Sequence, residues 1–120
     1  MCHALVIEDE FLIADYVAEL AEEAGATSVD FAETERDAVQ AARERKPDII
    51  LSDVNLLVGT GTSAIRKIRE EFGHVPVIFI TATPDACTRS PQQSAIVLVK
   101  PIRQDDFMRA FSRLTFVATH

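Results

Sequence analysis

The sequence predicts an α/β fold built on a parallel sheet, and three observations lead there. Short apolar runs alternate along the chain with stretches whose apolar residues recur at helical spacing, the pattern of βαβ units. Each run is followed by an acid, a hydroxyl or an ammonium, or by a turn. With 120 residues, 48% hydrophobic and 26% charged, the chain has the length and composition of one globular domain with a substantial core.

The run Ala4–Ile7 predicts the first strand. Ile13, Val17, Leu20 and Ala24 then repeat at helical spacing, and Gly25 supplies a C-terminal cap. Thr27–Ala32 reads as a short second strand. Thr34 can N-cap a second helix, with Asp37 a weaker version of the capping-box acid. Pro47 ends that helix and leads into the run Asp48–Ser52, which closes at Asp53. Ile65, Ile68 and Phe72 mark a third helix, closed by Gly73. Val77–Ile80 and Ala95–Val99 give two more strands, and Phe107, Ala110, Phe111 and Leu114 give the last helix. Between Thr81 and Ala95 lie Pro84, Pro91, two serines and two glutamines, with no apolar helical repeat. A helix there is expected to be short, irregular or absent.

Chemistry in open α/β sheets gathers at the carboxyl ends of the strands. Glu8 and Asp9 end the first run, Asp53 the third, Thr81 the fourth and Lys100 the fifth. Three acids, a hydroxyl and an ammonium would therefore meet in one crevice. Acids held that close repel one another and raise their pKa values unless a cation neutralises them.

Glu8-Asp9, Asp53-Val54-Asn55, Thr81-Ala82 and Lys100-Pro101, in this order and each at the end of an apolar run, resemble the receiver domains of bacterial two-component response regulators. The resemblance spans Leu5 to about Leu114. It implies a flavodoxin-like, doubly wound (βα)5 fold with a parallel five-stranded sheet in the order 2-1-3-4-5. It implies that Asp53 is the phosphoacceptor, forming an acyl phosphate through a carboxylate oxygen. Mg²⁺ would be held by Asp9 and Asp53, by the backbone carbonyl of Asn55, and by Glu8 largely through water, a set of oxygen ligands that suits this ion. Lys100 would pair with the phosphoryl oxygens, Thr81 would hydrogen-bond them, and small Ala82 would leave the site open. The Lys100–Pro101 bond would be cis. Val97 departs from the pattern, because similar domains place Tyr or Phe three residues before the lysine as a switch. Signalling is then expected to run through Thr83–Ser94 and the last helix. Of Phe107, Phe111, Phe116 and Val117, most are expected in the core, and one or two could form an exposed apolar edge for a partner.

The expected partner is a sensor histidine kinase or a histidine phosphotransfer protein. The stretch Val75–Pro84 looks like that of receivers partnered with HWE-type histidine kinases. The protein is expected to act as a phosphoacceptor, with only self-catalysed transfer and dephosphorylation, and not as an enzyme. Its output would be protein–protein contact or a phosphate sink. Two other readings compete: a pseudo-receiver that binds partners without phosphorylation, and an aspartyl-nucleophile phosphatase. Haloacid-dehalogenase-type phosphatases need an acid two residues after the nucleophile, and Asn55 stands there.

Twelve basic against 19 acidic residues give a net charge of −7, which argues against a nucleic-acid partner. No apolar run approaches a membrane span of about 20 residues, and Met1-Cys2-His3 lacks the features of a signal peptide. A cytoplasmic monomer or weak dimer is expected, with Cys2 and Cys87 reduced. One receiver domain over 1–120, with no effector domain, is the expected organisation. His3, His74 and His120 show no ligand spacing and no acidic partner, and all three are expected at the surface. Glu10 is expected to be a solvated residue at a helix start, where the helix dipole favours an acid.

Overall fold

The computed structural model describes residues 2–54, 56, 59–82 and 95–119. Five strands and four helices follow in the order β1 (His3–Ile7), α1 (Phe11–Ala24), β2 (Ser28–Ala32), α2 (Glu35–Glu44), β3 (Ile49–Asp53), α3 (Gly61–Phe72), β4 (Val77–Thr81), β5 (Ala95–Val99) and α4 (Gln104–Thr119). The strands form one parallel sheet in the order β2-β1-β3-β4-β5, the order expected from the sequence. Residues 83–94, where a helix was expected to be short, irregular or absent, lie outside the described residues, as do Asn55 and Cys87. Cys2 is a free thiol.

Side chains alternate across a strand, so a sheet covered on both faces needs apolar residues at every position of its central strands. β1 meets this demand from Ala4 to Ile7 and β3 from Ile49 to Leu51. Ala4, Val6, Ile49, Leu51, Ile78 and Ile80 pack beneath α1 and α4, where Phe107 and Phe111 are fully buried with ring centroids 6.0 Å apart. Leu5, Ile7, Ile50, Val77 and Phe79 pack beneath α2 and α3, against Ala38, Ala42, Ile65 and Ile68. Phe107 and Phe111 are thus core residues, as most of the apolar side chains at this end of the chain were expected to be, and the side chains of Phe116 and Val117 lie outside those described. At helical spacing on α4 both rings point at the sheet, and the core takes them whole.

The helix ends follow local chemistry. Gly25 closes α1 at φ 125°, a conformation in which a Cβ would be strained. The Thr34 hydroxyl accepts the Asp37 N–H at 3.1 Å and starts α2. Glu10 stands just before α1, exposed and without a side-chain cap bond.

His3 overturns the surface expectation. It is 4% exposed, with Nδ1 at 2.8 Å from Ser28 Oγ and Nε2 at 3.0 Å from Asp30 Oδ2. His3 lies opposite Ser28 in the β1–β2 register, so the acidic partner comes from the neighbouring strand. A buried polar ring is tolerated when both nitrogens are satisfied. His74 is exposed, as expected, and His120 lies outside the described residues. No described helix is long and apolar enough to cross a membrane.

The two-sided core makes a prediction. Phe111→Ala should lower unfolding stability by about 3–5 kcal/mol in urea. Phe31→Ala, at an aromatic that is 53% exposed on β2, should change it by no more than about 0.5 kcal/mol. Equal losses would contradict the placement of either ring.

Candidate functional site

Because all five strands run the same way, their carboxyl ends open on one side of the sheet. Asp53 is the last residue of β3, Thr81 the last of β4, and Glu8 and Lys100 follow β1 and β5 directly. β1 and β3 are neighbours, which sets Glu8 and Asp9 beside Asp53. One oxygen from each of these three carboxylates lies within 4.8 Å of the others.

Lys100 closes the group. Its Nζ lies 3.3 Å from Asp53 Oδ2 and 3.4 Å from Glu8 Oε1. The other Glu8 oxygen accepts the backbone N–H of Asp9 at 2.9 Å and of Glu10 at 3.4 Å. Glu8 is the most enclosed of the three acids, at 5% exposure. Burial, and then the adjacent Asp53 charge, raise its pKa from 4.5 to about 7, against the opposing pull of Lys100 and the Glu10 N–H. Burial alone would lower the Lys100 pKa, but the Glu8 and Asp53 carboxylates more than offset it and the net shift is upward. Among the described residues, one ammonium beside three carboxylates leaves the pocket short of positive charge. An all-oxygen donor set with an incompletely neutralised buried acid fits a hard divalent cation such as Mg²⁺.

The other expected residues fall as follows. Thr81 is 1% exposed, and its carbonyl accepts the Lys100 N–H at 2.9 Å, which ties the ends of β4 and β5 together. Ala82 is exposed beside it. The Lys100–Pro101 bond is cis. Val97 is half-buried, opposite Phe79 in the β4–β5 register, and packs into the cluster beneath α2 and α3. The Asn55 carbonyl, expected as a metal ligand, lies outside the described residues.

Sequence reading missed Ser52 and Gly61. The wholly buried Ser52 hydroxyl donates to the Asp53 carbonyl at 2.8 Å. Gly61, the first residue of α3, donates its N–H to Val54 O at 2.8 Å. A Cβ on Gly61 would sit 1.9 Å from the Asp53 carbonyl oxygen and 2.5 Å from Ser52 Oγ. The start of α3 thus presses directly on the backbone that aims the Asp53 side chain. The available signal was a glycine just inside a helix start, after the cap residue Thr60, whose hydroxyl accepts the Ser63 N–H at 3.1 Å. Glycine there is a poor helix former, so it points to a close contact.

Comparison with known proteins agrees with this fold. Residues 4–112 match the family described as response regulator receiver domain. The chain is 36% identical over 115 residues to the phyllosphere-induced regulator PhyR of Methylorubrum extorquens, covering 93% of this chain and 43% of that protein. It therefore spans less than half of that relative's length. The solution structure of the Erythrobacter litoralis PhyR receiver domain superposes with a TM-score of 0.87 at 30% identity, covering 96% of this chain and 90% of that one. The receiver domain of the sensor histidine kinase PA1611 from Pseudomonas aeruginosa, described with a magnesium ion coordinated in its active-site cleft, superposes with a TM-score of 0.83 at 27% identity. That match covers 96% of this chain and 98% of the other.

The contact at Gly61 yields a prediction for the site. Gly61→Ala must push the Asp53 carbonyl aside, at a cost of about 1–3 kcal/mol of stability, and should weaken Mg²⁺ binding in a fluorescence or calorimetric titration. Gly25→Ala meets nothing within 4 Å, so its strain is confined to the end of α1 and Mg²⁺ affinity should be unchanged. A Gly61→Ala protein with wild-type stability and affinity would show that the contact does not position Asp53.

Proposed function

We propose that this chain, which belongs to the response regulator receiver domain family, accepts a phosphoryl group on Asp53 from a phosphohistidine donor and relays that change through protein–protein contact or as a phosphate sink. The observation that carries the proposal is the ammonium of Lys100, 3.3 Å from Asp53 and 3.4 Å from Glu8 at the open end of the sheet. A carboxylate set against a fixed cation is ready to attack phosphorus, while the cation stays to receive the phosphoryl oxygens.

An Asp53 carboxylate oxygen forms the new O–P bond, the P–N bond to the donor imidazole breaks, and the electron pair leaves on that nitrogen, which then takes up a proton. Lys100 pairs with the phosphoryl oxygens as a point charge. Thr81, at the end of β4, offers its hydroxyl to the same group. Ser52 and Gly61 hold the Asp53 backbone in place. Asp9, Asp53 and Glu8 are the described residues that would hold Mg²⁺. When bound, it would supply positive charge to the phosphoryl oxygens. The donor in this reading is a cytoplasmic sensor histidine kinase or phosphotransfer protein. Likeness of Val75–Pro84 to HWE-partnered receivers favours a kinase of that type.

The test uses acetyl phosphate as a small donor with Mg²⁺, read by intact mass. Wild type should gain one phosphoryl group that is lost in alkali or hydroxylamine, and Asp53→Asn should gain none. Asp9→Ala should lose at least tenfold in Mg²⁺ affinity, because it removes a carboxylate from the cluster. Stable phosphorylation of Asp53→Asn would overturn the assignment, and an unreactive wild type that still binds Mg²⁺ would favour a phosphorylation-independent interaction module.

A further inference from the structure

The described residues include five exposed large apolar side chains, and four of them, Phe11, Leu12, Tyr16 and Phe31, lie on α1 and the edge strand β2. Between these two elements run adjoining hollows of about 500 and about 270 Å³. Their apolar lining is Phe11, Ala14, Ala18, Val29 and Phe31, where the two alanines leave room between the aromatic walls. Exposed aromatics rimming a groove are a mark of partner contact, since they add little to the fold that displays them.

The rim carries a single sign of charge. Asp15, Glu19, Glu22, Glu33 and Glu8 line the hollows, with no Lys or Arg. Among the described residues, none of Asp15, Glu19, Glu22 or Glu33 forms an ion pair. The charge pattern also works against α1 itself. The helix holds four acids and no base, and Glu19, Glu22 and Glu23 lie in its C-terminal half, where the helix dipole disfavours acids. Asp15 and Glu19 are four residues apart on one face, a like-charge spacing that destabilises a helix. A cationic partner would relieve both penalties.

From these features we infer that the α1–β2 groove binds a basic amphipathic helix of a protein partner. Its apolar side chains would fill the space between Phe11 and Phe31, and its Lys or Arg side chains would face the acids. The spacing favours a helix over an extended strand. Asp15, Glu19 and Glu22 stand at i, i+4 and i+7, a straight row roughly 10 Å long. A helix lying alongside α1 presents basic groups at the same repeat. The groove lies on the flank of α1 that faces β2, and its use requires no phosphoryl group.

The probe is a synthetic amphipathic helix of Leu and Lys, titrated into isotope-labelled protein and followed by amide NMR. A peptide of the same composition in scrambled order serves as control. Saturable shifts should centre on Ala14, Ala18, Val29 and Phe31, and the scrambled peptide should bind at least tenfold more weakly. Phe31→Ser and Glu19→Lys, both at exposed positions, should each weaken the ordered peptide at least tenfold while leaving Asp53 phosphorylation by acetyl phosphate unchanged. Added salt should weaken binding without moving its location. Equal binding by the scrambled peptide, shifts centred elsewhere, or indifference to either substitution would overturn the inference. The titration contains no phosphodonor, so its result stands apart from the fate of Asp53.

Discussion

The interaction on which the rest of the site depends is the enclosure of Glu8 beside Asp53, with Lys100 as the single ammonium between them. Two carboxylates at the ends of adjacent strands repel, and burial makes the repulsion harder to screen. Lys100 offsets part of it. The Glu8 pKa is still raised to about 7, first by burial and then by the adjacent Asp53 charge, so Lys100 does not fully neutralise the acids. A cation and a phosphoryl group are complementary answers to this arrangement. The first supplies charge to the acids, and the second brings oxygens to the lysine.

The parallel sheet is what makes such a pocket possible. An antiparallel neighbour would have sent Asp53 and Glu8 to opposite edges. With β1 and β3 adjacent and β4 and β5 beyond them, four strand ends meet in sequence order β1, β3, β4, β5. The carbonyl of Thr81 receives the Lys100 N–H, so the hydroxyl and the ammonium are held in one frame. Ser52 and Gly61 brace the Asp53 carbonyl from the side of α3. The proposed phosphoacceptor thus sits on braced backbone, which would favour precise attack.

Asp53, Glu8, Asp9, Thr81 and Lys100 were legible in the sequence because each ends an apolar run, and a strand end is a one-dimensional signal. The strand order was not legible from the residues themselves and came from the resemblance. His3 was misread because its partners, Ser28 and Asp30, reach it across the sheet, where sequence spacing carries no warning. Gly61 was overlooked for the same kind of reason. Its role is a contact with the Asp53 backbone that exists only once α3 has docked. Phe107 and Phe111 had the helical spacing of core residues, and their depth was settled only by the fit of α4 against the sheet. Phe31 shows the opposite limit, because β2 is an edge strand and its outer aromatic is left uncovered.

A carbon-detected NMR titration of the Glu8 side-chain carboxyl, in protein stripped of metal and then with saturating Mg²⁺, tests the central claim most directly. In the metal-free protein the carboxyl should titrate near pH 7, well above its ordinary value of 4.5, and Mg²⁺ should move that midpoint down. Titration in the ordinary carboxylate range without metal, or a raised midpoint that Mg²⁺ leaves in place, would contradict the account of a pocket short of positive charge.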